Sequence, residues 1–235
     1  MIRGVIFDLF HTLTGVESEW STLPFTSDVL GVSRERWDEV LHAHSRWRLT
    51  GEERDPWRIL RRLADVVDAS IPDALVAKAV DSRGRRFRGA LAKVPAQNVE
   101  TLRRLRDSGV RLGLISNADA SEIAGWQDSP LCGLFDVEVF SCETGAMKPE
   151  PAIYEACLRQ LGLRAPECLF VGDGGSDELI GAKAVGLRTV FISGVIAELW
   201  PQRLAGSLAT ADHHIVALPE IETVVAELSR RSSTD

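Results

Sequence analysis

The chain is predicted to fold as a parallel α/β sheet with helices on both faces, interrupted after its first strand by an all-helical insertion. Three observations predict this. Short, continuous apolar runs recur along the sequence, as in strands buried on both faces. Segments of helical period lie between them and close on glycine, a residue that ends helices. One long stretch, 14–91, carries helical period but no strand pattern. Strand and helix in alternation give parallel sheets, whose ligands gather beyond the carboxyl ends of the strands.

The first strand is expected within residues 2–7 of MIRGVIFDLFHTL, ending at Asp8. Further strands are expected at 111–115 (RLGLI), 137–140 (VEVF), 168–171 (CLFV), 189–192 (TVFI) and 214–218. The helices between them read as 98–108 before Gly109, 151–161 before Gly162 and 177–185 before Gly186. Within 14–91, the stretches DEVLHAHSRWRL, DPWRILRRLADVVD and PDALVAKAVDSRGRRF read as three amphipathic helices, broken at Thr50-Gly51 and Ser70-Ile71-Pro72. Four of the six tryptophans, Trp20, Trp37, Trp47 and Trp57, lie there, as core of a small helical module or as lining of a substrate pocket. Only 229–235 reads as a frayed tail.

Composition narrows the functions. The chain has 235 residues, 45% hydrophobic and 26% charged, with a net charge of -7, which fits a folded globular protein. Its lysines are only Lys78, Lys93, Lys148 and Lys183, and acidic residues outnumber basic ones 34 to 27, a balance that gives no support to nucleic-acid binding, which needs a net basic face. No apolar stretch approaches the ~20 residues of a membrane span, and the N-terminal run lacks the features of a cleaved signal. Cys132, Cys142, Cys157 and Cys168 show no metal-ligand spacing, so reduced thiols and a cytoplasmic location are expected.

Polar residues follow four of the strands: Asp8, Ser116-Asn117, Lys148-Pro149, and Asp173 with Asp177 in GDGGSD. Singly, each reads as well as a turn or helix cap. Jointly, their order resembles the haloacid dehalogenase-like superfamily over nearly the whole chain. FDLFHT is similar to its first motif, ISNAD to the second, GAMKPEPAIYEACL to the third and VGDGGSDELIGAKAVGL to the fourth. The resemblance implies a Rossmann-like core of residues 1–13 and 92–235, with 14–91 as a helical cap.

It also implies roles. A carboxylate can attack an electrophilic centre and form a covalent intermediate that water hydrolyses, and Asp8 is the candidate nucleophile. Lys148 would neutralise that carboxylate and a substrate anion. Thr12, Ser116 and Asn117 would hold substrate oxygens. Asp8, Asp173, Asp177 and Lys148 sum to a formal charge of -2, which one Mg²⁺ brings to zero, and hard oxygen ligands suit that ion. The expected ligands are Asp8 and Asp173, with Asp177 bound directly or through water, and, by resemblance, the carbonyl of Phe10. The implied partner is a small phosphorylated molecule, hydrolysed through an aspartyl-phosphate.

Phe10 departs from the family's phosphatases, which carry a second aspartate there as general acid and base. Such catalysis contributes ~10²- to 10⁴-fold, about 3 to 5.5 kcal/mol of barrier. His11 is adjacent, and an imidazole is a residue type suited to proton transfer near neutrality, although neighbours on an extended segment point opposite ways. An aromatic residue at this position resembles the metal-independent 2-haloacid dehalogenases, but that branch lacks the Gly172-Asp173 pair. The phosphonate-cleaving branch needs a cap lysine, and Lys78 alone is available, late in a helical pattern. A noncatalytic phospholigand-binding protein would also keep such a pocket.

Overall fold

The computed structural model describes residues 1–231. Six parallel strands form one sheet in the order β3-β2-β1-β4-β5-β6. They are β1 (Gly4–Phe7), β2 (Arg111–Ser116), β3 (Val137–Phe140), β4 (Cys168–Gly172), β5 (Arg188–Ile192) and β6 (His213–Ile215). The last ends earlier than the apolar run does, because Leu218 opens a 3-10 turn. Side chains alternate across the sheet. In β1, Val5 and Phe7 enter one apolar cluster and Ile6 the other. This two-sided burial is why the strand sequences read as unbroken apolar runs.

The helices are α1 (Glu17–Trp20), α2 (Thr26–Leu30), α3 (Arg34–Ala43), α4 (Ser45–Leu49), α5 (Pro56–Asp68), α6 (Asp73–Ala92), α7 (Ala96–Asp107), α8 (Ser141–Thr144), α9 (Pro151–Leu161), α10 (Glu178–Ala184), α11 (Gly194–Leu199), α12 (Leu204–Thr210) and α13 (Ile221–Arg231). Helix α13 runs through residues read as tail from sequence, and 232–235 lie outside the described residues. Asp55 caps α5 by accepting from the Arg58 amide at 2.9 Å, with Pro56 at the first helical position.

Helices α2, α3, α4, α5 and α6 share an apolar cluster of their own, built on Leu30, Trp37, Val40, Trp47, Ile59, Leu63 and Val76. This separate cluster supports the division we propose at about residues 14 and 91. Helix α6 continues to Ala92, and Leu91 already belongs to the cluster under the sheet. Its interior Gly89 has a packing reason, since a Cβ there would strike the Trp20 carbonyl. The tryptophans divide: Trp37 and Trp47 fill the helical cluster, Trp57 is exposed and Trp20 turns toward residues 10 and 11.

Among the described residues no helix is long and apolar enough to cross a membrane. All four cysteines are free thiols. Burial pushes Cys142 up to about 11 and Cys168 up to about 12, so neither is a reactive thiolate near neutrality.

Candidate active site

Strand order reverses around β1, which lies between β2 and β4. Phe7 pairs in register with Leu114 on one side and Val171 on the other. The residues just beyond these positions therefore converge at the carboxyl edge, where such sheets bind ligands. Asp8 continues the ladder, donating its amide to the Val171 carbonyl at 2.9 Å. Its carboxylate accepts from Lys148 Nζ.

Lys148 is 2% exposed and makes a second ion pair, with Glu178 Oε2 at 2.6 Å. Burial alone would depress the ammonium, but Asp8 and Glu178 outweigh it and push its pKa well above the ordinary value. The lysine is held from behind by Asn117. The Asn117 amide donates to the Lys148 carbonyl at 2.9 Å, and its oxygen accepts from the Lys148 amide at 2.8 Å. Expected to meet substrate, Asn117 instead spends both ends of its amide positioning the lysine.

Ligand atoms of Asp8, Asp173 and Glu178 lie within 4.8 Å of one another, and all three residues are buried. Asp177 is outside this group. It is exposed, with φ of 52°, and the residue after it takes the inward place expected of it. Glu178 opens α10 on the same buried face as Ala182. Its Oε1 accepts from the Gly174 amide at 2.9 Å, and its carbonyl accepts from the Tyr154 hydroxyl at 2.8 Å. A Cβ at Gly172 would collide with its carboxylate, so glycine there makes room for it. Burial, followed by the charge of Asp8, raises Asp173. Burial also raises Glu178, against the pull of Lys148. Three carboxylates and one ammonium carry a formal charge of -2. That excess of buried negative charge on hard oxygen donors fits a divalent cation.

Two hydroxyls at the same edge of the sheet, one in the turn after β1 and one at the end of β2, lack partners. Thr12 Oγ1 and Ser116 Oγ are buried without a hydrogen bond. Buried polar groups are normally satisfied, so this pair fits an anion whose oxygens would accept from them.

Residues 8–14 turn rather than extend: His11 has φ of 61°, and its amide donates to Thr14 Oγ1 at 2.9 Å. The alternation expected of an extended segment therefore does not apply. The His11 ring stacks on Trp20 with centroids 5.2 Å apart and meets Trp200 edge-on at 5.1 Å. Its Nδ1 lies 3.9 Å from Asp173 Oδ2, and its Nε2 lies 3.9 Å from Glu17 Oε1. Phe10 packs on Phe87 at 5.2 Å and Trp20 at 5.8 Å, so its side chain serves the contact with the insertion.

A second charged cluster joins the insertion to the sheet. Arg48 Nη1 and Arg83 Nη2 each reach Asp119 Oδ2 at 3.1 Å, and Arg83 reaches Glu122 at 2.5 Å. Asp119 is fully buried. Burial works to raise its pKa, but the two arginines and the Ser121 hydroxyl overcome this and lower it.

A family model of haloacid dehalogenase-like hydrolases matches residues 2–186. The chain is 34% identical over 104 residues to a glyceraldehyde 3-phosphate phosphatase of Pyrococcus abyssi (strain GE5 / Orsay), covering 43% of this chain and 42% of that one. It is 33% identical over 131 residues to a ribulose-1,5-bisphosphate 5-phosphatase of Halopiger xanaduensis, covering 54% of each. The chain spans about half the length of the curated relatives it matches. Among solved structures, it resembles a 2-haloacid dehalogenase from Pseudomonas syringae pv. Tomato DC3000, with TM-score 0.65, 22% identity and coverage of 97% and 100%. It also resembles a phosphatase from Thermococcus onnurineus, with TM-score 0.61, 23% identity and coverage of 95% and 98%. At these identities the structural likeness speaks for the fold.

Proposed function

Because the chain belongs to the haloacid dehalogenase-like hydrolases, we propose that it is a Mg²⁺-dependent hydrolase of small phosphorylated molecules with Asp8 as nucleophile. The observation that carries this reading is the convergence of Asp8, Asp173 and Glu178, two of which, Asp8 and Glu178, share one lysine. A site for anionic substrates needs this negative excess cancelled. Asp8, Asp173, Glu178 and the Phe10 carbonyl would hold Mg²⁺, which when bound supplies positive charge beside the phosphate.

The remaining steps belong to the chain. Lys148 pairs with Asp8 and aims it, while Thr12 and Ser116 donate to phosphate oxygens. An Asp8 oxygen attacks phosphorus, the bond from phosphorus to the leaving oxygen breaks, and water then cleaves the aspartyl-phosphate. Phe10 has no proton to give. His11, held between two tryptophans beside Asp173, is the donor to the departing oxygen, and aryl or acyl phosphates, which need little protonation, are the favoured substrates.

A second reading, metal-independent hydrolysis of 2-haloacids, is favoured by Phe10 alone. One assay separates the two: phosphate release from a panel of phosphomonoesters with Mg²⁺ or chelator, run beside halide release from 2-haloacids. The phosphatase reading expects Mg²⁺-dependent phosphate release that Asp8→Asn abolishes. Halide release persisting in chelator, with no phosphate released, overturns it.

A further inference from the structure

Inside the helical insertion, α1, α2, α3 and α6 border a half-open cavity of about 100 Å³. Trp20, Phe25 and Phe87 line it together with three arginines, Arg34, Arg83 and Arg86, and two carboxylates, Glu17 and Asp38. Two of these arginines are matched by carboxylates. Arg83 pairs with Asp119 and Glu122, and Arg34 with both lining carboxylates, Glu17 at 2.9 Å and Asp38 at 3.7 Å. Arg86 differs. It is 6% exposed, donates Nη1 to the Leu23 carbonyl at 2.6 Å, and leaves Nη2 buried without a partner.

Its surroundings also leave its charge poorly compensated. Arg86 and Arg34 both lie over Phe25, at 3.9 and 4.0 Å from the ring centroid, so two like charges share one aromatic ring. Burial lowers the pKa of Arg86, Glu17 and Asp28 pull against this, and the like charge of Arg34 adds to it. A buried charge without a counter-ion is costly, and an anion in the cavity would relieve that cost.

We propose that this cavity binds a carboxylate, with Arg86 as the cation that recognises it. The space between these walls admits a carboxylate. Flat aromatic walls suit a planar anion, and a free guanidinium N–H edge forms charge-assisted bonds to it. Trp20 and Phe87 also pack on Phe10, so the cavity backs onto the turn that carries Asp8. The carboxylate comes either from the substrate or from a free effector. The first source rests on the phosphohydrolase reading, whereas the second does not.

The test is calorimetry on the full chain with Mg²⁺, wild type against Arg86→Met. The probes are malonate, alkylphosphonates, and phosphonocarboxylates with two to four methylenes. A carboxylate probe is expected to bind at least tenfold more weakly to Arg86→Met, with the alkylphosphonates unaffected. A gain only in the linked probes assigns the carboxylate to the substrate, and binding of free malonate assigns it to an effector. No gain from a carboxylate in wild type, or a gain kept in Arg86→Met, overturns the proposal. Should that variant not fold, tryptophan emission decides: malonate, or a phosphonocarboxylate beyond any change an alkylphosphonate makes, must change it in wild type and not in Trp20→Phe. If no alkylphosphonate binds and no phosphate is released, the phosphohydrolase reading fails while the malonate arm still judges this one.

Discussion

Lys148 Nζ lies 2.6 Å from Glu178 Oε2 while the same ammonium holds the Asp8 carboxylate. Glu178 is thus tied to the candidate nucleophile through a single buried cation, and Asp177 has no such tie. Glu178→Gln keeps the shape and removes the charge. It should lower kcat/KM for an aryl phosphate by more than the ~10- to 100-fold that loss of an outer-shell partner costs a metal site. Asp177→Asn should stay within about twofold, the equivalent of ~0.5 kcal/mol at an exposed position. Steady-state kinetics on the two variants check this, and the reverse order of effects would return the role to Asp177.

Asp173 and Glu178 are both raised in the folded chain, so the folded state binds more protons than the unfolded state once the ordinary carboxylate range near pH 4 is passed. Their contribution to stability then falls as pH rises toward the folded-state values. Without metal, these two groups should destabilise the protein progressively above about pH 4. Mg²⁺ binds the ionised form, so the melting temperature with Mg²⁺ minus that in chelator should widen from pH 5 to pH 8. At a hundred times Kd the gain is about 2.7 kcal/mol, or roughly 5 to 10 °C for a chain of this size. Scanning fluorimetry across pH measures the difference, and a gap that narrows with pH would contradict the assignment of these carboxylates as ligands.

Strand-end chemistry was legible in the sequence because a parallel sheet sends its carboxyl ends to one edge, which brings Asp8, Ser116 and Asp173 near one another whatever the loops do. Glu178 was not legible by counting from Asp173. Gly174, Ser176 and Asp177 all adopt positive φ, and this tight turn shifts which acid faces inward. The signal was helical phase, since Glu178 shares a face with Ala182. Trp20, Phe87 and Arg86 meet only because residues 17–20 pack against the end of a helix some 65 positions later, which no local pattern records. The same holds for Arg48 and Arg83, whose partners Asp119 and Glu122 lie beyond β2.

Asp119→Asn should weaken the whole chain. The substitution leaves Arg48 and Arg83, both buried, with one carboxylate between them. Breaking a buried ion pair from one side costs about 3–5 kcal/mol, or roughly 6 to 20 °C in melting temperature. Because the Asp119 pKa is lowered in the fold, its contribution is present above the unfolded value near pH 4 and lost as pH falls through the folded one. The loss caused by Asp119→Asn should therefore be full at neutral pH and shrink in acid. An unchanged melting temperature at pH 7 would mean that water, not Asp119, satisfies the two arginines.

Phe10 sets the last expectation, because its ring is committed to Phe87 and Trp20 and brings no proton toward Asp8. Without an acid at that position, a poor leaving group must depart with whatever proton His11 provides. The ratio of kcat/KM for an aryl phosphate over an alkyl phosphate should reach ~10² to 10⁴, the span that general acid catalysis supplies elsewhere. His11→Gln then discriminates between roles. A proton donor is needed by the alkyl ester and hardly by the aryl ester, so the substitution should widen the ratio further and flatten the alkyl pH profile. Were both esters slowed equally, His11 would instead be holding the turn at φ of 61° and the stack on Trp20. Rates for the two esters in wild type and His11→Gln, taken across pH, separate these outcomes without knowledge of the natural substrate.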